Sequence, residues 1–219
     1  MSRLGRFWAS TIGKKIVMGV TGLIMVGFLI GHMAGNLQVF EGAERLNGYS
    51  RFLHSLGELL WLVRGVLLLA LVLHIVAAVQ LTRIDWAARP VGYEKHEAQA
   101  ATFASRTIRI GGVLLAVFIV LHLMHFTLGT LEPAPFSREN VYGNVTGSFA
   151  IPWVAGLYVA AMVVVGLHLY HGAWSAFRTL GITKASAHPL QRRIAGAVAF
   201  LVWLGFTIVP LGVLLGWAR

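Results

Sequence analysis

"LLWLVRGVLLLALVLHIVAAVQLT", residues 59–82, decides the fold class. Across this run Arg64 is the only charged side chain, and it sits just inside the first turns. A hydrocarbon core of about 30 Å takes roughly 20 helical residues to cross, so the run is long enough to span a bilayer. Four more runs of the same character lie near 16–37, 108–130, 152–177 and 194–217. Together they predict an all-α integral membrane bundle of five transmembrane helices. Composition agrees: the chain is 57% hydrophobic and 12% charged, with a mean hydropathy of +0.74, whereas a soluble domain carries about 25% charged residues. The first run continues past Gly31 and His32 without a small-residue cleavage site, so the first helix is expected to be retained. The connections are short, and none has the composition of a separate domain. Residues 1–219 therefore read as one membrane domain. Within it, the 38–58 connection is expected to be partly helical at the interface, and the 131–151 connection is rich in Pro, Gly and Asn.

The net charge of +10 invites a nucleic-acid reading, but its distribution argues for topology. The N-terminal segment, the 83–109 connection and the 178–193 connection hold 13 of the 18 Lys and Arg residues, and a five-helix topology puts all three on one side. By the positive-inside rule that side, with the N-terminus, is cytoplasmic, giving a multi-pass protein of the inner (cytoplasmic) membrane. Anionic lipid headgroups or a soluble partner can use such a surface; no nucleic-acid partner is expected. The chain has no cysteine, which excludes disulfides and a cysteine-ligated iron–sulfur cluster within it.

Histidine carries the chemistry. His32, His74, His122, His125, His168 and His171 fall inside the predicted spans, while His54, His96 and His188 fall in connections. Ionisable residues at membrane depth are rare and face a bundle interior. A single such histidine reads equally well as a hydrogen bond to a neighbouring helix, but four helices each supplying one make a shared site the better account. At 1.5 Å of rise per residue, His32 and His122 lie in the outer half and His74, His168 and His171 in the inner half, two layers roughly 15 Å apart. Facing imidazoles repeated at two depths suit two six-coordinate b haems. Small residues at Gly31, Gly35, Ala77, Ala78, Gly172 and Ala173 leave room for a flat ring, or equally for close helix packing. Residues three apart share a helix face, so periodicity leaves His122 and His125 open as alternatives, and likewise His168 and His171.

"TGLIMVGFLIGHMAGN" (21–36), "LVLHIVAA" (71–78), "RIGGVLLAVFIVLHLMHF" (109–126) and "HLYHGAWSAFRTLG" (168–181) resemble the motifs of the single-chain, two-haem cytochrome b anchor of succinate dehydrogenases and fumarate reductases. The resemblance implies axial ligands at His32, His74, His122 and His171, paired as His32 with His122 and His74 with His171, with His125 and His168 as runners-up. It further implies a flavoprotein and an iron–sulfur subunit docked on the cytoplasmic face. Electrons would pass from the iron–sulfur subunit through the two haems to a quinone, menaquinone by expectation. Lys14, Lys15, Arg106, Arg109 and Arg178 lie where haem propionates could be paired, although positive-inside topology explains each of them as well.

All eight acidic residues lie in loops or near helix ends, so no carboxylate relay crosses the membrane. His54 and Glu58 sit one turn apart where the second helix begins, a position from which they could exchange protons with a quinone; an exposed interfacial ion pair is the duller reading. Two other classes stay open. One is the two-haem cytochrome b of a hydrogenase or formate dehydrogenase. The other is a metal or proton transporter using the two HxxH pairs.

Overall fold

In the computed structural model, residues 2–88, 102–181 and 188–218 are described. Among them there is no strand, and the chain is an all-α bundle. Eight α-helices follow in order: α1 (Arg3–Ala9), α2 (Thr11–Leu37), α3 (Ala43–Ser55), α4 (Glu58–Ala87), α5 (Phe103–His122), α6 (Val141–Phe149), α7 (Pro152–Thr179) and α8 (His188–Leu214). Helices α2, α4, α5, α7 and α8 are long and apolar enough to cross a membrane, matching the five predicted spans. α2, α4, α7 and α8 are each longer than their apolar runs, whereas α5 ends at His122, inside its run, where a π segment takes over.

Breaks in the chain have local causes. Ser10 ends α1 and caps α2, its hydroxyl accepting from the Gly13 amide at 2.9 Å. Lys14 closes the corner: its ammonium donates to the carbonyls of Trp8 at 2.6 Å and Ala9 at 3.0 Å, satisfying the C-terminal carbonyls of α1. Gly57, at φ 53°, separates α3 from α4 with a backbone conformation that L side chains rarely adopt. Beyond α5 the helix widens into a π segment, Leu123–Leu128, which ends at left-handed Gly129. Such segments are rare and recur at functional sites.

The 38–58 connection is helical, as expected, through a short 3₁₀ turn (Gln38–Glu41) and α3. The 131–151 connection holds α6, capped by the Asn140 side chain on the Gly143 amide at 2.9 Å. Asn47 of α3 ties the two connections together, donating to Asn140 at 3.1 Å and accepting from the Tyr142 amide at 2.9 Å.

Packing is uneven. α7 lies against α8, α5 and α2, and α2 lies against α4, α7 and α8. One buried cluster forms at the far end of the bundle, away from the N-terminus, from Val39, Leu46, Val145, Phe149, Val154 and Tyr158 among others. A second joins Leu169 of α7 to Ala199 and Val202 of α8. By contrast α4 buries only Ala70 and Ala77, and α5 only Ala104. Leu62, Leu68, Leu69, Val113, Val117 and Val120 on these two helices are exposed, an outward apolar surface of the kind lipid requires.

Candidate functional site

The six histidines within the spans form two layers. At the far layer, His32 of α2 and His122 of α5 bring their ring centroids within 5.8 Å. At the near layer, toward the N-terminal end, His74 of α4 and His168 of α7 approach to 6.2 Å. The spacing can be read along α2 itself: His74 touches Met18 and Thr21, and His122 meets His32. Those positions are 11 to 14 residues apart, or roughly 16–21 Å along the axis. The histidines bridge helices that are at most sparsely packed backbone to backbone, α2 with α5 and α4 with α7.

Each ring is held differently. His74 Nδ1 sits 3.1 Å from the Met18 carbonyl; a carbonyl only accepts, so Nδ1 carries the proton, and Thr21 Oγ1 lies beside it at 3.3 Å. The tautomer is thereby set, leaving Nε2 with a free lone pair. Gly22 lies against this ring, where a Cβ would meet His74 Cε1 in ordinary contact at 3.4 Å. His168 is the ring facing His74, and its Nδ1 is buried without a hydrogen-bond partner among the described residues. His171 lies next to Trp174, 6.3 Å between centroids. The ring brought to His74 is therefore His168's, where the resemblance pointed to His171.

At the far layer the two histidines of HLMH differ in their hydrogen bonding. Both nitrogens of buried His125 are engaged, Nδ1 with the Tyr158 hydroxyl at 3.0 Å and Nε2 with Ser148 Oγ at 2.9 Å. His122 has one hydrogen-bond contact among the described residues, from Nδ1 to the Tyr158 hydroxyl at 3.5 Å. Apolar rings surround the pair: Phe28 and Phe206 beside His32, Phe118 and Phe126 beside His122. Among the described residues, no three or more His, Asp or Glu side chains converge as a metal cage requires. The donor sets are pairs.

The basic residues are variously committed. Lys14 is buried and spent on the α1 corner, so its ammonium does not reach the near pair. Arg109 pairs with Asp85 of α4 at 2.7 Å, both side chains half exposed. Arg178 lies over the Trp174 ring at 5.0 Å, and Arg192 of α8 lies over the same ring at 4.9 Å. Lys15 and Arg106 are exposed. Arg89, Lys95, His96 and Lys184, which fall in the basic connections, lie outside the described residues.

His54 and Glu58 are not one turn apart on a single helix. Gly57 breaks the chain between them, so His54 ends α3 and Glu58 begins α4. Both are exposed, and His54 Nδ1 donates to the Ser50 carbonyl at 2.8 Å. The small residues also divide. Gly35 packs under the Tyr49 ring of α3, whereas a Cβ on Gly31 or Gly172 would meet nothing within 4 Å.

Sequence reasoning missed Tyr158 and Ser148. A phenol inside an apolar helix was the available signal, since a buried hydroxyl demands a partner. Ser148 gave none, because its helix lies in a connection. Comparison of the chain with family models, curated proteins and solved structures finds no match.

Proposed function

We propose that this chain is the membrane-anchoring cytochrome b subunit of a succinate:quinone oxidoreductase, holding two b haems between paired histidines and passing electrons from an iron–sulfur subunit to a quinone. The observation that carries the reading is the pair of histidine pairs at two depths. In each pair two imidazoles from different helices come within 5.8 and 6.2 Å between centroids, close enough for both rings of a pair to hold one metal centre through bonds of about 2 Å. When bound, b haem supplies a one-electron carrier whose potential its ligands and their surroundings tune.

The chain's own residues fit that group. His32 and His122 would hold one haem, and His74 and His168 the other. His168 replaces His171 in the ligand set because its ring, and not that of His171, faces His74. His74 is oriented by the Met18 carbonyl, the type of outer-shell support that ligating histidines use. Helices α4 and α5, which supply His74 to the near pair and His122 to the far pair, bury almost no side chains of their own, so a large apolar ring between helices would supply burial that they lack. The motifs favour the succinate class over other two-haem cytochromes, and the paired donor sets favour haem over a transported metal ion.

A reduced-minus-oxidised spectrum of the purified complex tests this. Two b-type components should appear and be reduced by succinate. His74→Ala and His168→Ala should remove the same component, and His32→Ala and His122→Ala the other. A fully assembled complex lacking b-type bands would overturn the reading.

A further inference from the structure

We infer that Tyr158 is a positioning residue for the far pair: through a hydrogen-bond chain continuing to His125 and Ser148, it fixes which ring nitrogen His122 offers toward His32. The inference rests on the haem reading above and concerns only residues of this chain.

The chain runs His122 Nδ1, Tyr158 Oη, His125 Nδ1, His125 Nε2, Ser148 Oγ, with separations of 3.5, 3.0 and 2.9 Å. It joins α5, α7, the π segment and α6. A phenol has one hydrogen and a neutral imidazole has one N–H, so if the buried phenol hydrogen is donated within the chain the protons can be ordered in two ways. In one, Ser148 donates to His125 Nε2, His125 Nδ1 donates to Tyr158, and Tyr158 donates to His122 Nδ1. His122 then carries its proton on Nε2 and has no lone pair there for a metal. In the other, His122 Nδ1–H points to Tyr158, Tyr158 donates to His125 Nδ1, and His125 Nε2–H points to Ser148. This second order leaves His122 Nε2 free to ligate.

The haem reading selects the second order: a ligating His122 must offer a lone pair on Nε2, so its proton sits on Nδ1 and faces Tyr158. The buried phenol hydrogen then has His125 Nδ1, 3.0 Å away, as its acceptor. Tyr158 therefore turns its lone pairs toward His122 and accepts from it. His125 is fixed in place behind the phenol. It is 7% exposed, both nitrogens are engaged, and its ring stacks on Phe126 with centroids 3.9 Å apart. The two histidines of HLMH thus divide the work, one as ligand and the other as the acceptor that holds the phenol hydrogen.

An accepted Nδ1 proton makes the ligand more basic, which stabilises the oxidised metal. Tyr158→Phe removes the hydroxyl and keeps the ring between Phe118 and Phe149. In the whole complex, spectroelectrochemistry should show the potential of the His32–His122 haem rising in Tyr158→Phe, with the His74–His168 haem unmoved. Ser148→Ala should shift it less, in the same direction. Phe149→Leu, which removes a ring packed 5.0 Å from Tyr158 but outside the chain, should leave it unchanged. Two haems with unmoved potentials in both Tyr158→Phe and Ser148→Ala would overturn the inference, as would an equal shift in Phe149→Leu. If Tyr158→Phe does not assemble, Ser148→Ala against Phe149→Leu decides alone. A wild-type complex without two b-type components overturns the haem reading itself, a different result from any of these.

Discussion

His168 and His171 differ by one helical turn yet occupy unlike surroundings. His168 faces His74 across the near layer, whereas His171 lies against Trp174, whose ring is also covered by Arg178 and Arg192. His168→Ala should abolish the near-layer haem band, and His171→Ala should leave both bands in place, as measured by difference spectra of the assembled complex. The opposite outcome would restore His171 as the ligand. Within α2, Gly22→Ala should be tolerated, because a Cβ there makes ordinary contact with His74 Cε1 at 3.4 Å. Gly22→Phe should displace that ring and lose the near-layer haem selectively.

At the scale of elements, the glycines of α2 separate into two kinds. Gly35 lies under the Tyr49 ring, where a Cβ would come within 2.6 Å of Cε1, so this glycine lets α3 fold down on the end of α2. Gly31 faces open space. Gly35→Ala should destabilise by about 1–3 kcal/mol, the usual cost of overpacking, while Gly31→Ala should be nearly neutral; thermal unfolding of the purified protein in one detergent compares them. An equal loss for both would mean that α3 does not dock through Tyr49. The Arg109–Asp85 pair links α5 to α4 but is half exposed. Pairs of that kind contribute about 0–1 kcal/mol, and helix burial carries the larger share.

For the molecule as a whole, the proposed function gives the asymmetry of the bundle a consequence for the direction of electron flow. The N-terminal end holds the near pair and the described basic residues Arg83, Arg106, Arg109 and Arg178; the far end holds the packed cluster and the far pair. An iron–sulfur subunit docked on the basic end would deliver to the near pair first, and a second haem is useful only if the acceptor lies beyond it. Cross-linking should place that subunit on the N-terminus and the 83–109 and 178–193 connections; contacts confined to 38–58 or 131–151 would defeat this arrangement. Quinone reduction is then expected at the far end, near the junction of α3 and α4. Glu58→Gln and His54→Ala should slow quinone turnover while sparing both haem bands and succinate oxidation with a soluble acceptor. Unchanged turnover in both would remove these residues from the site.

The spans, their number and the two depths at which histidines recur follow from the sequence alone, because bilayer thickness and helical rise are fixed lengths that convert residue counts directly into position. Partner choice does not follow from them. His168 and His171, or His122 and His125, share a face at helical spacing, and only the rotation of each helix against its neighbours turns one ring toward His74 and leaves the other beside Trp174. The π segment after His122 left no mark in the apolar pattern, yet it seats His125 between Tyr158 and Ser148. Lys14 looked like one more inward-side cation; the break at Ser10 bends α1 back so that its carbonyls take the ammonium. His54 and Glu58 counted as one turn until Gly57 placed a helix end between them. Local spacing determines which residues can meet, and the packing of helices distant in sequence decides which of them do.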